Sequence, residues 1–229
     1  MATPSKQESK ERFLKINYIA RIKDGKIFDT TYEDIAKKEG IYSKEKIYAP
    51  LPVIVGEHRV IRGLEEALED MKVNEEREVE IPPEKGFGKR DPNLVRLVPL
   101  SVFKRNNINP IPGMKVTLDG MPARIQTVSG GRVRVDFNHE LAGKTLIYKV
   151  KVEEEFKSKE EKLRFLIDRN FPMNGKDIKL RIKEKKVEIE LPEKVYKDRN
   201  LLLRKASLSG DVFKYLNFEE IIFLERWKK

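Results

Sequence analysis

The sequence predicts an α+β fold in three parts, and three observations predict it. The first part alternates apolar and polar residues at strand spacing and holds one short amphipathic helix. From Leu94 the texture changes to short strands broken by glycine-containing turns. From Ser158 onward a helix, a hairpin, a second helix and a final strand follow one another.

Each element has its own justification. Leu14, Ile16, Tyr18, Ala20 and Ile22 share one face of Phe13 to Lys23, with Lys15, Asn17 and Arg21 on the other, which is a half-buried strand. Asp24-Gly25 turns the chain into a second strand, Lys26 to Asp29. A polar, tyrosine-dotted stretch from Thr30 to Pro50 carries a short helix at Tyr32 to Glu39. Leu51 to Val55 is a strand, Ile61 to Met71 a helix with Leu64, Ala67, Leu68 and Met71 on one side, and Arg77 to Ile81 a strand stopped by Pro82-Pro83. Beyond a helical turn at Ser101 to Asn106, strands are expected at Lys115 to Leu118, Ala123 to Val128 and Arg132 to Phe137. Thr145 to Glu153 alternates again. Ser158 and Glu161 form a capping box ahead of Leu163, Leu166, Ile167 and Phe171. A hairpin follows over Ile178 to Ile182 and Val187 to Leu191. The next helix is expected at Val195 to Ser207, with a break at Ser209-Gly210 before a continuation to Leu216. Glu220 to Trp227 is a strand apolar on both faces.

Composition limits the chemistry. With no cysteine, disulfides, thiolate metal sites and a cysteine nucleophile are excluded. His58 and His139 are the only histidines, too few for a histidine metal site or a triad, so no metal or cofactor is expected. Gly86-Phe87-Gly88 has no helix behind it and is not a phosphate loop. No carboxylate pair stands out as acid and base, so an enzyme built on this chain would work without proton transfer. The polar start, Met1 to Arg12, offers no signal peptide and no apolar run suits a membrane span, so a cytoplasmic protein is expected. Lys/Glu enrichment without cysteine fits a heat-adapted source. The net charge of +10 is uneven: +6 in residues 89–137, +7 in 157–229 and −3 in the remainder.

Four pieces in order carry a resemblance. Asp24-Gly25-Lys26-Ile27-Phe28-Asp29 is followed by Val60-Ile61-Arg62-Gly63-Leu64-Glu65-Glu66-Ala67, then by Gly86-Phe87-Gly88, then by Leu146-Ile147-Tyr148-Lys149-Val150. Together they resemble the FKBP-type peptidyl-prolyl isomerases. Asn138-His139-Glu140-Leu141-Ala142-Gly143-Lys144 resembles the exit from the inserted domain of the SlyD-like subfamily. The resemblance spans roughly residues 13–155, and the tail is similar to that of long archaeal members. It implies a curved antiparallel sheet around one helix (residues 1–88 and 138–156), an inserted chaperone-like β domain (89–137) and a C-terminal α+β domain (157–229).

Carried over by motif, the resemblance implies a pocket made by Tyr18, Phe28, Asp29, Val60, Ile61, Leu64, Phe87 and Tyr148, with Leu51 and Leu141 beside it. Leu64 is its floor where many members have tryptophan, and Phe87 lacks the phenol common at its position. Asp29 is expected to orient Tyr18 or a neighbouring donor. Leu94, Val95, Leu97, Val98 and Phe103 of the insert look more apolar than a fifty-residue unit needs for its own core, so part of them is expected to line an exposed groove. The expected partners are unfolded or nascent chains with exposed apolar and prolyl segments. The basic blocks also fit ribosome association, a catalytically weak holdase, or RNA binding, although no exposed aromatics interleave them as stacking platforms. The apolar final strand predicts a homodimer through the C-terminal domain.

Overall fold

The structure is a computed structural model and describes residues 11–171 and 177–227, so most of the polar start lies outside it. The chain forms β1 (Phe13–Ile22), β2 (Ile27–Thr30), α1 (Glu33–Lys38), β3 (Leu51–Ile54), α2 (Arg62–Leu68) and β4 (Glu76–Ile81). Then come β5 (Val95–Pro99), α3 (Leu100–Arg105), β6 (Lys115–Leu118), β7 (Met121–Ser129) and β8 (Arg132–Asp136). β9 (Leu146–Phe156), α4 (Lys159–Asn170), β10 (Lys179–Lys183), β11 (Lys186–Leu191), α5 (Leu201–Leu216) and β12 (Glu220–Glu225) complete it.

The first sheet runs β2-β1-β9-β4, with β3 on the same edge of β1 as β2, and all its pairings are antiparallel. The alternation of β1 places Leu14, Ile16, Tyr18 and Ala20 on the inner face, under α2. A Cβ on Gly63 would lie 2.6 Å from Ile81, so the bare glycine is what lets α2 press on β4. Arg12 closes the other end of α2, donating to the carbonyls of Leu68, Glu69 and Met71 at 2.7–2.9 Å, where the helix dipole favours a cation.

The insert is a sheet of order β5-β8-β7-β6 with its own core of Ile125, Val133, Val135 and Phe103. Polar groups join it to the first part. Asp91 and Asn138 exchange two hydrogen bonds (2.8 and 3.0 Å), and buried Asp136 accepts from Asn138 and Gln126 and pairs with Arg90. At the same junction Gly143, at φ +75°, donates to the Gly88 carbonyl (2.8 Å).

The C-terminal part packs α4 and α5 on a sheet of order β10-β11-β12. Both halves of the Ser158–Glu161 capping box form. The second helix departs from expectation at its start and at Ser209-Gly210, and ends at Leu216 as expected. Val195 anchors a separate 3-10 turn (Glu193–Val195), so the helix begins only at Leu201. It then runs through Gly210 unbroken, because burial of Leu208, Val212 and Leu216 outweighs the roughly 1 kcal/mol that a helical glycine costs. Asn217, left-handed at φ 50°, ends it. The final strand is corrected in part: β12 pairs in parallel with β11 and packs Ile221 and Phe223 on the core, while Ile222 and Leu224 stay half-buried. Among the described residues no helix is long and apolar enough to cross a membrane.

The third part shares its core with the first. Phe13 and Ile54, whose neighbours in sequence face α2, belong to the cluster of Phe165, Leu166 and Val212. Phe13 is held edge-on by Phe165 (5.3 Å) and Tyr215 (5.6 Å). Lys15, next on that outer face, reaches Asp168 of α4 at 3.0 Å.

Candidate functional site

The inner face of the first sheet carries a group of aromatics because adjacent strands bring them side by side. Tyr18 of β1 and Tyr148 of β9 lie with ring centroids 5.6 Å apart. Phe28, beyond the Asp24-Gly25 turn with Asp24 left-handed at φ 56°, stands edge-on to Tyr148 at 6.2 Å. The Tyr18 phenol donates to Asp29 Oδ2 at 2.7 Å. Asp29 also accepts from the Thr30 amide (2.9 Å) and pairs with Lys46, so its carboxylate is held from three sides. Burial pushes both phenols far above their ordinary range, helped at Tyr18 by the hydrogen bond to Asp29 and then its charge, and at Tyr148 by the Asp29 charge, so both stay protonated.

Val60 and Ile61 lie half-buried at the start of α2 and pack against the same core, which holds buried Leu64. The Ile61 backbone is extended (φ −61°, ψ 143°), and its carbonyl accepts from the Leu64 and Glu65 amides. Its own N–H meets no acceptor among the described residues. Phe87 packs against the same core, its ring stacked on His139 at 4.4 Å with 1° between planes. Leu51 and Leu141 flank the group, half-buried.

The residues expected on the isomerase part therefore come together in one apolar, aromatic cluster, with Asp29 hydrogen-bonded to Tyr18 and paired with Lys46 at its edge. Those expected on the insert do not form a groove. Phe103 is fully buried, because α3 lays it across the inner face of the insert's sheet, and Val98 packs beside it. Leu94 and Val95 are half-buried, and only Leu97 stands open, 61% exposed. The insert's other exposed apolar residues, Ile111, Met114 and Met121, lie outside the run that drew attention in the sequence.

Three features had little or no signal at the level of pattern. Lys46 reaches Asp29 from a polar loop without periodicity. His139 accepts from the Leu141 amide at 3.2 Å, and its stacking on Phe87 joins residues far apart in the chain. Glu65 is buried in the first turn of α2 and accepts from the amides of Gly56 (2.9 Å) and His58 (3.0 Å) and from the His58 ring (2.7 Å). An acid in a first helical turn was the available hint. A separate open hollow of about 490 Å³ lies by Asn17, Tyr32, Glu33, Lys37 and Tyr48, and includes none of the aromatic group.

Comparison with known proteins bears on all three parts. The family described as FKBP26, IF domain, matches residues 96–141, and that described as FKBP26_C-terminal matches residues 159–228. The short-type peptidyl-prolyl cis-trans isomerase of Methanocaldococcus jannaschii is 44% identical over 140 residues, which are 61% of this chain and 88% of that protein. The FKBP-type peptidyl-prolyl cis-trans isomerase SlyD of Haemophilus influenzae is 36% identical over 45% of this chain and 56% of its own length. The probable FKBP-type 16 kDa isomerase of Pseudomonas fluorescens is 28% identical over 60% of this chain and 84% of its own.

Proposed function

The chain belongs to the FKBP-type peptidyl-prolyl cis-trans isomerases, SlyD-like in kind, and from that premise we propose that it isomerises X-Pro bonds of unfolded or partly folded chains at the aromatic cluster of Tyr18, Phe28, Phe87 and Tyr148. The observation that carries this reading is the aromatic group over Leu64, beside the unpaired N–H of Ile61.

The chemistry needs no nucleophile. Rotation about the peptide bond meets a barrier of about 18–20 kcal/mol because it breaks amide resonance. As the amide twists, its carbonyl becomes less dipolar and needs less hydrogen bonding from water. An apolar pocket therefore favours the twisted state over the planar one, which is differential binding. Leu64 supports the proline ring, the aromatics exclude water, and the Ile61 N–H holds the carbonyl that follows the proline. Asp29 fixes Tyr18 and takes no proton. The test is exchange of a prolyl tetrapeptide, followed by NMR or by a coupled protease. Asp29→Ala and Tyr148→Ala are expected to lose most of the rate while staying folded. Wild-type rates in both would remove this pocket assignment.

Client binding is the second half of the proposal. Leu97, Ile111, Met114 and Met121 give the insert exposed apolar contacts for a partly folded chain. Holding the chain there raises its effective concentration at the pocket. A homodimer also belongs to the proposal, carried by α5 rather than β12. Leu202, Leu203 and Phe213 are exposed on that helix around Ala206 and Gly210, large at both ends and small between, a shape that fits a second copy antiparallel to itself. Light scattering on the full chain is expected to give a dimer mass, and Phe213→Glu a monomer. A monomeric wild type at micromolar concentration would end the dimer reading.

A further inference from the structure

Glu57 lies in the segment that enters α2, four residues before Ile61. Its side chain is only 7% exposed, although it sits at the surface of the isomerase part, because the C-terminal domain covers it. Arg169 of α4, itself 10% exposed, donates to both carboxylate oxygens at 2.8 Å, a bidentate fork. Tyr215 of α5 donates to Oε1 at 2.9 Å. Behind this pair Asp211 lies 3.8 Å from Arg169 and accepts from Asn170 at 3.0 Å. Among the described residues, no other carboxylate of the isomerase part is held by two helices of the C-terminal domain.

The segment Gly56 to Ile61 is thus fixed from two sides. From within, Glu65 takes the amides of Gly56 and His58, with His58 in the left-handed region at φ 57°. From without, Arg169 and Tyr215 hold Glu57. Between His58 and the Ile61 N–H lie only Arg59 and Val60. A backbone held at Glu57 and again at Leu64 has little freedom to move the Ile61 N–H.

We propose that Arg169 and Tyr215 of the C-terminal domain are positioning residues for the isomerase site, acting through Glu57 to hold the Ile61 N–H where it meets the substrate carbonyl. The proposal rests on the pocket described above and extends it: the C-terminal domain completes the catalytic loop as well as adding surface. The carbonyl that Ile61 holds is not part of the twisting amide, so its hydrogen bond is equal in ground and transition states. Loosening it should raise KM and leave kcat nearly unchanged.

The test uses the full chain. In Arg169→Met, the KM for a prolyl tetrapeptide, measured well below the melting temperature, is expected to rise about three- to ten-fold, with kcat changed less than about two-fold. Arg169→Lys should recover part of the loss, since it restores charge but not the fork. Glu57→Gln should match Arg169→Met, and the double variant should lose no more than either single one. Amide hydrogen exchange at Glu57 to Ile61 should quicken in Arg169→Met while the β4 and β9 amides keep their protection. Leu163→Ala is the control: Leu163 is buried in the same core and makes none of these polar contacts. It should lower the melting temperature without moving KM. An unchanged KM in Arg169→Met, or an equal rise in Leu163→Ala, would overturn the proposal. Should the wild type show no turnover, the pocket reading fails, and the exchange measurement alone decides whether Arg169 holds the loop.

Discussion

The insert and the C-terminal domain are both additions to the isomerase sheet, yet they are joined to it by opposite means. The insert keeps its apolar side chains to itself: Phe103, Ile125, Val133 and Val135 close a private core, and the junction is polar, through Arg90, Asp91, Asp136 and Asn138. The C-terminal domain instead borrows Phe13 and Ile54 from the isomerase sheet for its own core and buries an ion pair, Glu57–Arg169, in the joint. A polar junction with a private core can bend or be lost without exposing oil to water. A shared core cannot, because separation leaves apolar faces bare on both sides.

The largest expected effect tests that contrast directly. Phe13→Ala should cost about 3–5 kcal/mol and lower the melting of the isomerase and C-terminal parts together. Phe103→Ala should cost about as much, again roughly 3–5 kcal/mol, but only within the insert. Tetrapeptide turnover should survive the second variant. Calorimetry with the turnover assay checks both, and a single shared transition in Phe103→Ala would break the comparison.

Deleting residues 89–137 with a short linker comes next. Tetrapeptide activity should stay close to wild type, while catalysis of a proline-limited refolding reaction should slow at least several-fold as tethering is lost. Equal losses on both substrates would show that the insert shapes the pocket. Removing residues 157–229 is the opposite case: bare Phe13 and Ile54 should make that fragment aggregate, so the mass of such a fragment is a poor guide to the dimer.

Acid sharpens the comparison further. Burial works to raise the Glu57 carboxyl, but hydrogen bonds from Arg169 and Tyr215 prevail and hold it below its ordinary value of 4.5, with Arg59 adding charge. A lowered folded value means stability that is present above the unfolded value and lost as pH falls through the folded one. The melting temperature should therefore drop on acidification below about pH 4.5. Glu57→Gln should start lower at neutral pH and fall less steeply. A parallel fall in both would remove Glu57 from the acid response.

The smallest expected effect is on the surface. Leu97→Ser should leave stability within about 0.5 kcal/mol of wild type while weakening capture of an unfolded chain. A stability loss of core size would mean that Leu97 packs more tightly than its open position implies.

Much of this was legible in the chain itself. Alternation placed β1 and β9 and the inner side of the pocket, because a strand's period of two sorts faces without reference to any partner. The Asp24-Gly25 turn, the Ser158–Glu161 box and the β10–β11 hairpin are local devices, and they appear where the residues put them. The pocket residues, by contrast, were named only through the resemblance that the four motif pieces carry, because positions as far apart as Tyr18 and Tyr148 share no local pattern. What the sequence could not decide were contacts whose partners lie far apart. Phe13 sits on the polar side of an amphipathic strand, where its apolar ring alone could not show whether water or another domain covers it. Glu57 and Arg169 look like ordinary surface charges until two helices bury them. Phe103 reads as an open contact until α3 turns it inward, and Gly210 as a helix break until Leu208 and Val212 pack around it. Sequence by itself determined the elements and which face of each is apolar, since these follow from local backbone geometry. Only the tertiary structure decided what covers each face, because burial belongs to pairs of surfaces, and the second surface is never written beside the first.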